Sequence, residues 1–118
     1  MYTYFRVIGK DKKILEKFKK LFNSDYEIKE VINGDISLSL FKCNDESLDL
    51  NLLLRKTIRG LKDNIDLLNE YRNKYGLEYY LVRVVELNDN NKPILSLDDD
   101  IIEFLFKVSA KDDLDYYL

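Results

Sequence analysis

Histidine is absent from this chain, cysteine occurs once, and the four glycines stand singly. Without histidine, the most frequent general base and the most frequent metal ligand are both missing. The lone Cys43 has no partner for an internal bridge, which fits a reducing compartment, and no imidazole anywhere to activate it. Scattered glycines form no phosphate-cradling loop. No apolar run approaches the roughly 18–20 residues that a membrane-spanning helix needs. Residues Met1 to Gly9 carry no basic-then-apolar leader pattern. These absences remove nearly all the usual tools of imidazole, thiol and zinc chemistry and leave a carboxylate-based activity open. They set the expectation of a soluble cytoplasmic protein with no catalytic residue, no metal and no cofactor.

What is present is well patterned. The 118 residues, 46% hydrophobic and 35% charged, suit one α+β domain over residues 1–118 with a core that needs neither disulfide nor metal. The net charge of −3 is unevenly spread. Residues 1–62 hold 13 Lys/Arg against 9 Asp/Glu, and residues 63–118 hold 6 against 13. Such asymmetry steers encounters if the fold preserves it and vanishes if the two halves interleave.

Residues 2–8 are aromatic and β-branched and predict a strand ended by Gly9. Asp11 caps a helix through about Phe22, with Ile14, Leu15, Phe18, Leu21 and Phe22 on one stripe. Asn23 to Asp25 read as a turn and Tyr26–Ile32 as a second strand. Asn33-Gly34, which tolerates positive φ, marks a hairpin. Ile36–Phe41 alternates, with Ile36, Leu38 and Leu40 inward. Ser47 opens a long helical stretch to Tyr75 with Gly76 as its stop. Gly60 and Asp63 predict a kink or break within it. Glu78–Leu87 is apolar on both faces, hence central: Leu81, Val85 and Leu87 on one side, Tyr80, Val82 and Val84 on the other. After a polar loop from Asn88 to Pro93, residues 101–108 read as a helix capped by Ser96, with Asp98–Asp100 at its positive end and Lys107 and Lys111 at the other. Asp113–Leu118 closes the chain as a short strand.

The order β-α-β-β-α-β-α-β predicts a ferredoxin-like core with an added C-terminal α-β. The sheet is mainly antiparallel, with helices on one face. The segments Tyr4–Gly9 before a helix, Ser96-Leu97-Asp98 before an apolar helix, and Asp113–Tyr117, together with Leu50–Leu61, Leu67, Leu68, Tyr71 and Tyr75-Gly76, resemble the Domain of Unknown Function 4279 family. The stretch from Asn23 to Asp45 departs from that pattern, lacking its turn proline and its tryptophan. The resemblance implies a small intracellular bacterial protein encoded near toxin, immunity or defence genes. It carries over no catalytic residue.

Nine tyrosines are the most distinctive functional material. Tyr4, Tyr79 and Tyr117 fall in three strands, and Arg6, Arg83 and Asp115 lie two or four residues from them, on the same face as their tyrosine neighbours. If those strands are adjacent, the six residues build a partner-binding face of the type that dominates interface hot spots. The alternative is a sheet face covered by loops. Six lysines from Lys10 to Lys20 read as a solvated helix face in an acidic chain, not as a nucleic-acid site. Asp98–Asp100 diverge around a helix start and suit its dipole better than a metal.

The leading expectation is a non-enzymatic protein-binding module of the immunity or inhibitor kind, whose partner is a toxin or effector. A small-molecule or nucleotide-binding regulatory domain, with its pocket between the sheet and residues 47–75, is the alternative. A homodimer formed through the sheet's open face is a third class.

Overall fold

The computed structural model describes residues 1–22, 24, 26–44, 49–86 and 96–117, without the side chains of Ile32 and Tyr117. Strand β1 (Tyr2–Gly9) alternates without a break: Thr3, Phe5 and Val7 are buried, and Tyr2, Tyr4, Arg6 and Ile8 face the other way. Helix α1 (Lys12–Lys19) starts where the Asp11 carboxylate accepts the Lys13 N–H at 2.9 Å, satisfying one of the free donors of the first turn. Leu15 and Phe18 are its buried residues. The helix stops before Phe22, so Leu21, which the helical stripe placed inward, is exposed.

Strands β2 (Tyr26–Glu30) and β3 (Ile36–Asn44) form the expected hairpin. Asn33 and Gly34 both take positive φ, at 70° and 78°, inside a short 3₁₀ turn over Ile32–Gly34. The predicted turn residues Asn23 and Asp25 lie outside the described residues.

The β1–β3 register shifts between Thr3 and Phe5, and Phe41 sits there at φ 54°. This bulge lets Leu40 and Phe41 both turn toward the core, and strict alternation would have sent Phe41 outward. Its ring meets Phe22 edge-on, with centroids 5.9 Å apart. The strained backbone is held by Ser24 Oγ, which accepts the Phe41 N–H at 2.9 Å, and by Thr57, whose hydroxyl donates to the Phe41 carbonyl at 3.0 Å.

The long helical stretch is broken in two. Helix α2 (Leu50–Arg59) begins at Asp49, whose carboxylate accepts the Leu52 N–H at 3.2 Å; Ser47 lies outside the described residues. It ends at Gly60, where an added Cβ would lie 2.3 Å from the Phe41 ring. The break is therefore a close approach between helix end and bulge. A 3₁₀ turn over Lys62–Asn64 leads into α3 (Ile65–Tyr75), which Gly76 terminates at φ 63°. Asp63 lies within the 3₁₀ turn, and Asn64 takes the cap position.

Strand β4 (Glu78–Glu86) is buried on both faces over Leu81–Val85, and Leu87 lies outside the described residues. Helix α4 (Asp99–Val108) starts at Asp98, so Ser96 does not cap it. Lys111 belongs to β5 (Lys111–Tyr117) and not to the end of that helix.

The five strands run in the order β2-β3-β1-β4-β5. The first three pairs are antiparallel and β4–β5 is parallel, joined through α4, as a parallel crossover requires. The architecture is α+β with one mixed sheet. Among the described residues four α-helices pack on one face of it. Leu15, Phe18, Leu54, Leu68, Ile101 and Phe104 from the helices share one core with Phe5, Val7, Leu38, Leu40, Tyr79 and Leu81. None of the helices is long and apolar enough to cross a membrane.

Two consequences are measurable. Gly60→Ala forces the Phe41 ring aside and lowers unfolding stability by about 1–3 kcal/mol. In urea denaturation, the same change made together with Phe41→Leu costs less. Tyr79 donates its hydroxyl to the Leu68 carbonyl at 2.6 Å, and burial raises its phenol above the ordinary value, which is about 10. Below that pH it is neutral in both states. Above it only the unfolded chain ionises readily, so stability falls as pH rises. Tyr79→Phe loses about 1 kcal/mol at pH 7 and declines less steeply between pH 9 and 11.

Candidate functional site

Residues directly opposite one another on paired strands share a face, so the register sorts the side chains. Glu27, Ser39, Arg6, Tyr80 and Lys111 form one row across all five strands. Tyr4, Val82 and Asp113 form the next, and Tyr2, Val84 and Asp115 the one after it. This face is opposite the one the helices cover, since the core takes Phe5, Val7, Tyr79 and Leu81 from the same strands.

Of the six residues expected to share a binding face, the structure brings Tyr4, Arg6 and Asp115 together on this side. Tyr79 and Arg83 are on the helix-covered side and sealed, at 1% and 3% exposure. The reason is register. Tyr79 stands opposite Val7 and Arg83 opposite Thr3, both inward residues of β1. Tyr79 packs its ring 5.3 Å from Phe5. Arg83 forms a two-pronged pair with Asp112, Nε to Oδ1 at 3.1 Å and Nη2 to Oδ2 at 2.6 Å, tying β4 to β5. Tyr117 closes β5 opposite Glu86, and its side chain lies outside the described residues.

The residues that sequence reasoning missed are Tyr2, Tyr80 and Lys42. The phase of β4 groups Tyr80 with Val82 and Val84 on one side, and the pairing with β1 decides that this side is the one away from the helices. Lys42 reaches this face only because the bulge at Phe41 resets the alternation of β3.

The exposed face is built from aromatic rings and cations. The Arg6 guanidinium lies 4.7 Å from the centre of the Tyr80 ring and pairs with Asp113, so it arches across β4 from β1 to β5. Lys111 approaches the same ring at 5.5 Å. The Tyr80 hydroxyl donates to Glu78 at 2.7 Å. Tyr2 and Tyr4 stack with centroids 6.1 Å apart and planes 21° from parallel, and the Lys42 ammonium sits 4.3 Å from the Tyr2 ring. A groove of about 410 Å³ runs beside them, lined by Tyr2, Tyr4, Arg6, Lys29, Ser39 and Lys42. Burial pushes the Tyr4 phenol up, and the hydrogen bond to Glu78 pushes Tyr80 up. Both remain protonated at neutral pH, as neutral rings with a polar tip. Such contacts combine flat aromatic area with a charged or polar tip.

Charge divides across the same face. Arg6, Lys29 and Lys42 outnumber Glu27 on β1–β3, and Glu78, Glu86, Asp113 and Asp115 outnumber Lys111 on β4–β5. The sequence asymmetry therefore survives folding here. The three N-terminal strands lie together at one side of the sheet and the two C-terminal strands at the other.

Elsewhere, polar groups fix one element to another. The Thr3 and Thr57 hydroxyls meet in the core at 2.9 Å, and Thr3 Oγ1 also lies 3.2 Å from the Leu53 carbonyl, so its one proton serves either Thr57 or Leu53. Asn51 of α2 donates to the Ser96 carbonyl and accepts the Asp98 N–H, both at 2.9 Å. Arg55 pairs with Asp98 and Asp100 at the start of α4, and its hydrogen bond holds the Asp100 carboxyl below its ordinary pKa. Two of the three acids thus face an arginine. Cys43 lies half-buried against Leu50, Leu53 and Val85.

The two arginines of the sheet differ in what their removal exposes. Arg83→Ala strands Asp112 beside an emptied site and costs about 3 kcal/mol, at the low end for a buried pair because Asp112 still reaches water. Arg6→Ala removes a partly exposed pair and costs about 1 kcal/mol. Urea titrations at low and high salt check both, with salt dependence expected for Arg6 alone.

The family model DUF4279, described as a domain of unknown function, matches residues 37–118. No curated protein and no solved structure matches the chain. The matched residues run from β3 onward and include α2, α3, β4, α4 and β5. With well over half of its length inside that match, the chain belongs to the DUF4279 family.

Proposed function

We propose that this protein is a non-enzymatic binding module of the immunity or inhibitor kind, which occludes a protein partner in the cytoplasm with the exposed face of its sheet. The order β2-β3-β1-β4 with antiparallel pairing supports a ferredoxin-like core, with α4 and β5 appended. Such a core leaves one sheet face free to bind. The observation that carries the proposal is the make-up of that face: the Tyr2–Tyr4 stack, Tyr80 under Arg6, and cations on one side with carboxylates on the other. Tyrosine and arginine supply area and directed polar tips at little entropic cost.

The partner it suits is a folded protein with an acidic and apolar patch facing Tyr2, Tyr4 and Lys42. Beside that patch would lie a basic patch facing Asp113 and Asp115. Opposed charge of this kind speeds association and rejects partners of the wrong sign.

The alternative expectation put a small-molecule pocket between the sheet and residues 47–75. That layer is occupied by core side chains, among them Leu54, Ile58, Leu61 and Leu68.

Capture of the neighbouring gene's product at micromolar concentration, with co-expression relieving any toxicity of that product, is the expected result. Tyr4→Ala together with Lys42→Glu weakens capture at least about 30-fold, the scale of one hot-spot loss, and leaves the fold intact by circular dichroism. Capture unaffected by that pair of changes, or no capture at all, defeats the proposal.

A further inference from the structure

We propose that the cleft between α2, the 62–64 turn and α4 binds a small organic phosphate. This site is on the helix side of the molecule and independent of the sheet face. The cleft encloses about 440 Å³, the size class of small-ligand sites. Its apolar walls are Ile58, Phe104 and Ile65, the first two buried in the core and the third half-buried.

The cations lining it are Arg55, Arg59, Lys62 and Lys107. Arg55 is taken by Asp98 and Asp100, and Lys107 by Glu103 at 2.8 Å. Arg59 and Lys62 have no ion pair and no hydrogen bond among the described residues. The two acids of the cleft, Asp100 and Glu103, are thus already engaged.

The partial negative charge at the C-terminal end of α2 accounts for Lys56 and Arg59 on its last turn. It does not explain a further cation past the helix end, at Lys62, nor a concave apolar wall beneath Arg59 and Lys62. A guanidinium and an ammonium beside an apolar wall match a phosphate carried on an apolar or planar body. The guanidinium offers paired donors to two oxygens, and the ammonium adds a point charge.

The Arg55 network ties two walls of the cleft together. Arg55 joins α2 to the start of α4, and Asn51 fixes the Ser96–Asp98 lead-in. The ligand would therefore meet a preformed site.

The test is an amide-shift titration of the isotope-labelled full chain with AMP, phenyl phosphate and glucose 6-phosphate, run against adenosine and inorganic phosphate. At least one organic phosphate is expected to shift amides near Arg59, Lys62 and Phe104 and to bind ten or more times tighter than inorganic phosphate. Arg59→Gln with Lys62→Gln, both exposed positions, weakens that binding at least tenfold, and Tyr4→Ala leaves it unchanged. Binding by none of the three, equal binding of inorganic phosphate, equal binding of adenosine and AMP, or indifference to the double variant overturns the proposal. Since the sheet-face variant reports separately, failure here leaves the partner-binding proposal standing, and the converse holds.

Discussion

The register between β1 and β4 is the constraint on which the rest of the structure depends. Phe5 stands opposite Leu81, Val7 opposite Tyr79 and Arg6 opposite Tyr80. In a pleated pair, a slip of one residue exchanges the two faces entirely. It would expose Tyr79 and Leu81, bury Tyr80 with its Glu78 partner, and strand Arg83 away from Asp112. The core thus selects which tyrosines meet water, and the exposed face is a by-product of packing on the other side. Phe5 and Phe18 bracket the Tyr79 ring, which anchors this choice at the centre of the sheet.

Much of the local structure was legible from residue chemistry. Asp11 begins α1, Asn33-Gly34 turns the hairpin, and Gly76 ends α3, because each position needs a capping oxygen or a positive φ that few residues supply. The alternation of Ile36, Leu38 and Leu40 held as well. What failed did so for definite reasons. Both faces of β4 are apolar, so periodicity could not say which of Tyr79 and Tyr80 faces inward until β1 was placed beside it. The bulge at Phe41 arises from distant partners, Thr57 and Gly60, and nothing within β3 announces it. Ser96 looked like a cap, but its carbonyl is engaged by Asn51, a contact 45 residues apart in the chain. Half of the candidate site was therefore readable, and the other half waited on long-range pairing.

The separation of charge across the sheet follows from strand order. An interleaved topology would have mixed the basic N-terminal half with the acidic C-terminal half. Here β4 joins the free side of β1, and β5 extends beyond it. Most of the side chains concerned are exposed, so their pairwise energies are small and screened. Their collective effect is an oriented field, which acts on approach more than on final affinity.

The strand order also makes β2 and β5 the edge strands of the sheet. β2 is only five residues long and carries Glu27, Lys29 and Glu30. β5 carries Lys111, Asp112, Asp113 and Asp115 among its seven. A parallel, in-register copy added to either border would stack like charges in line. Templated fibril growth is discouraged at both margins.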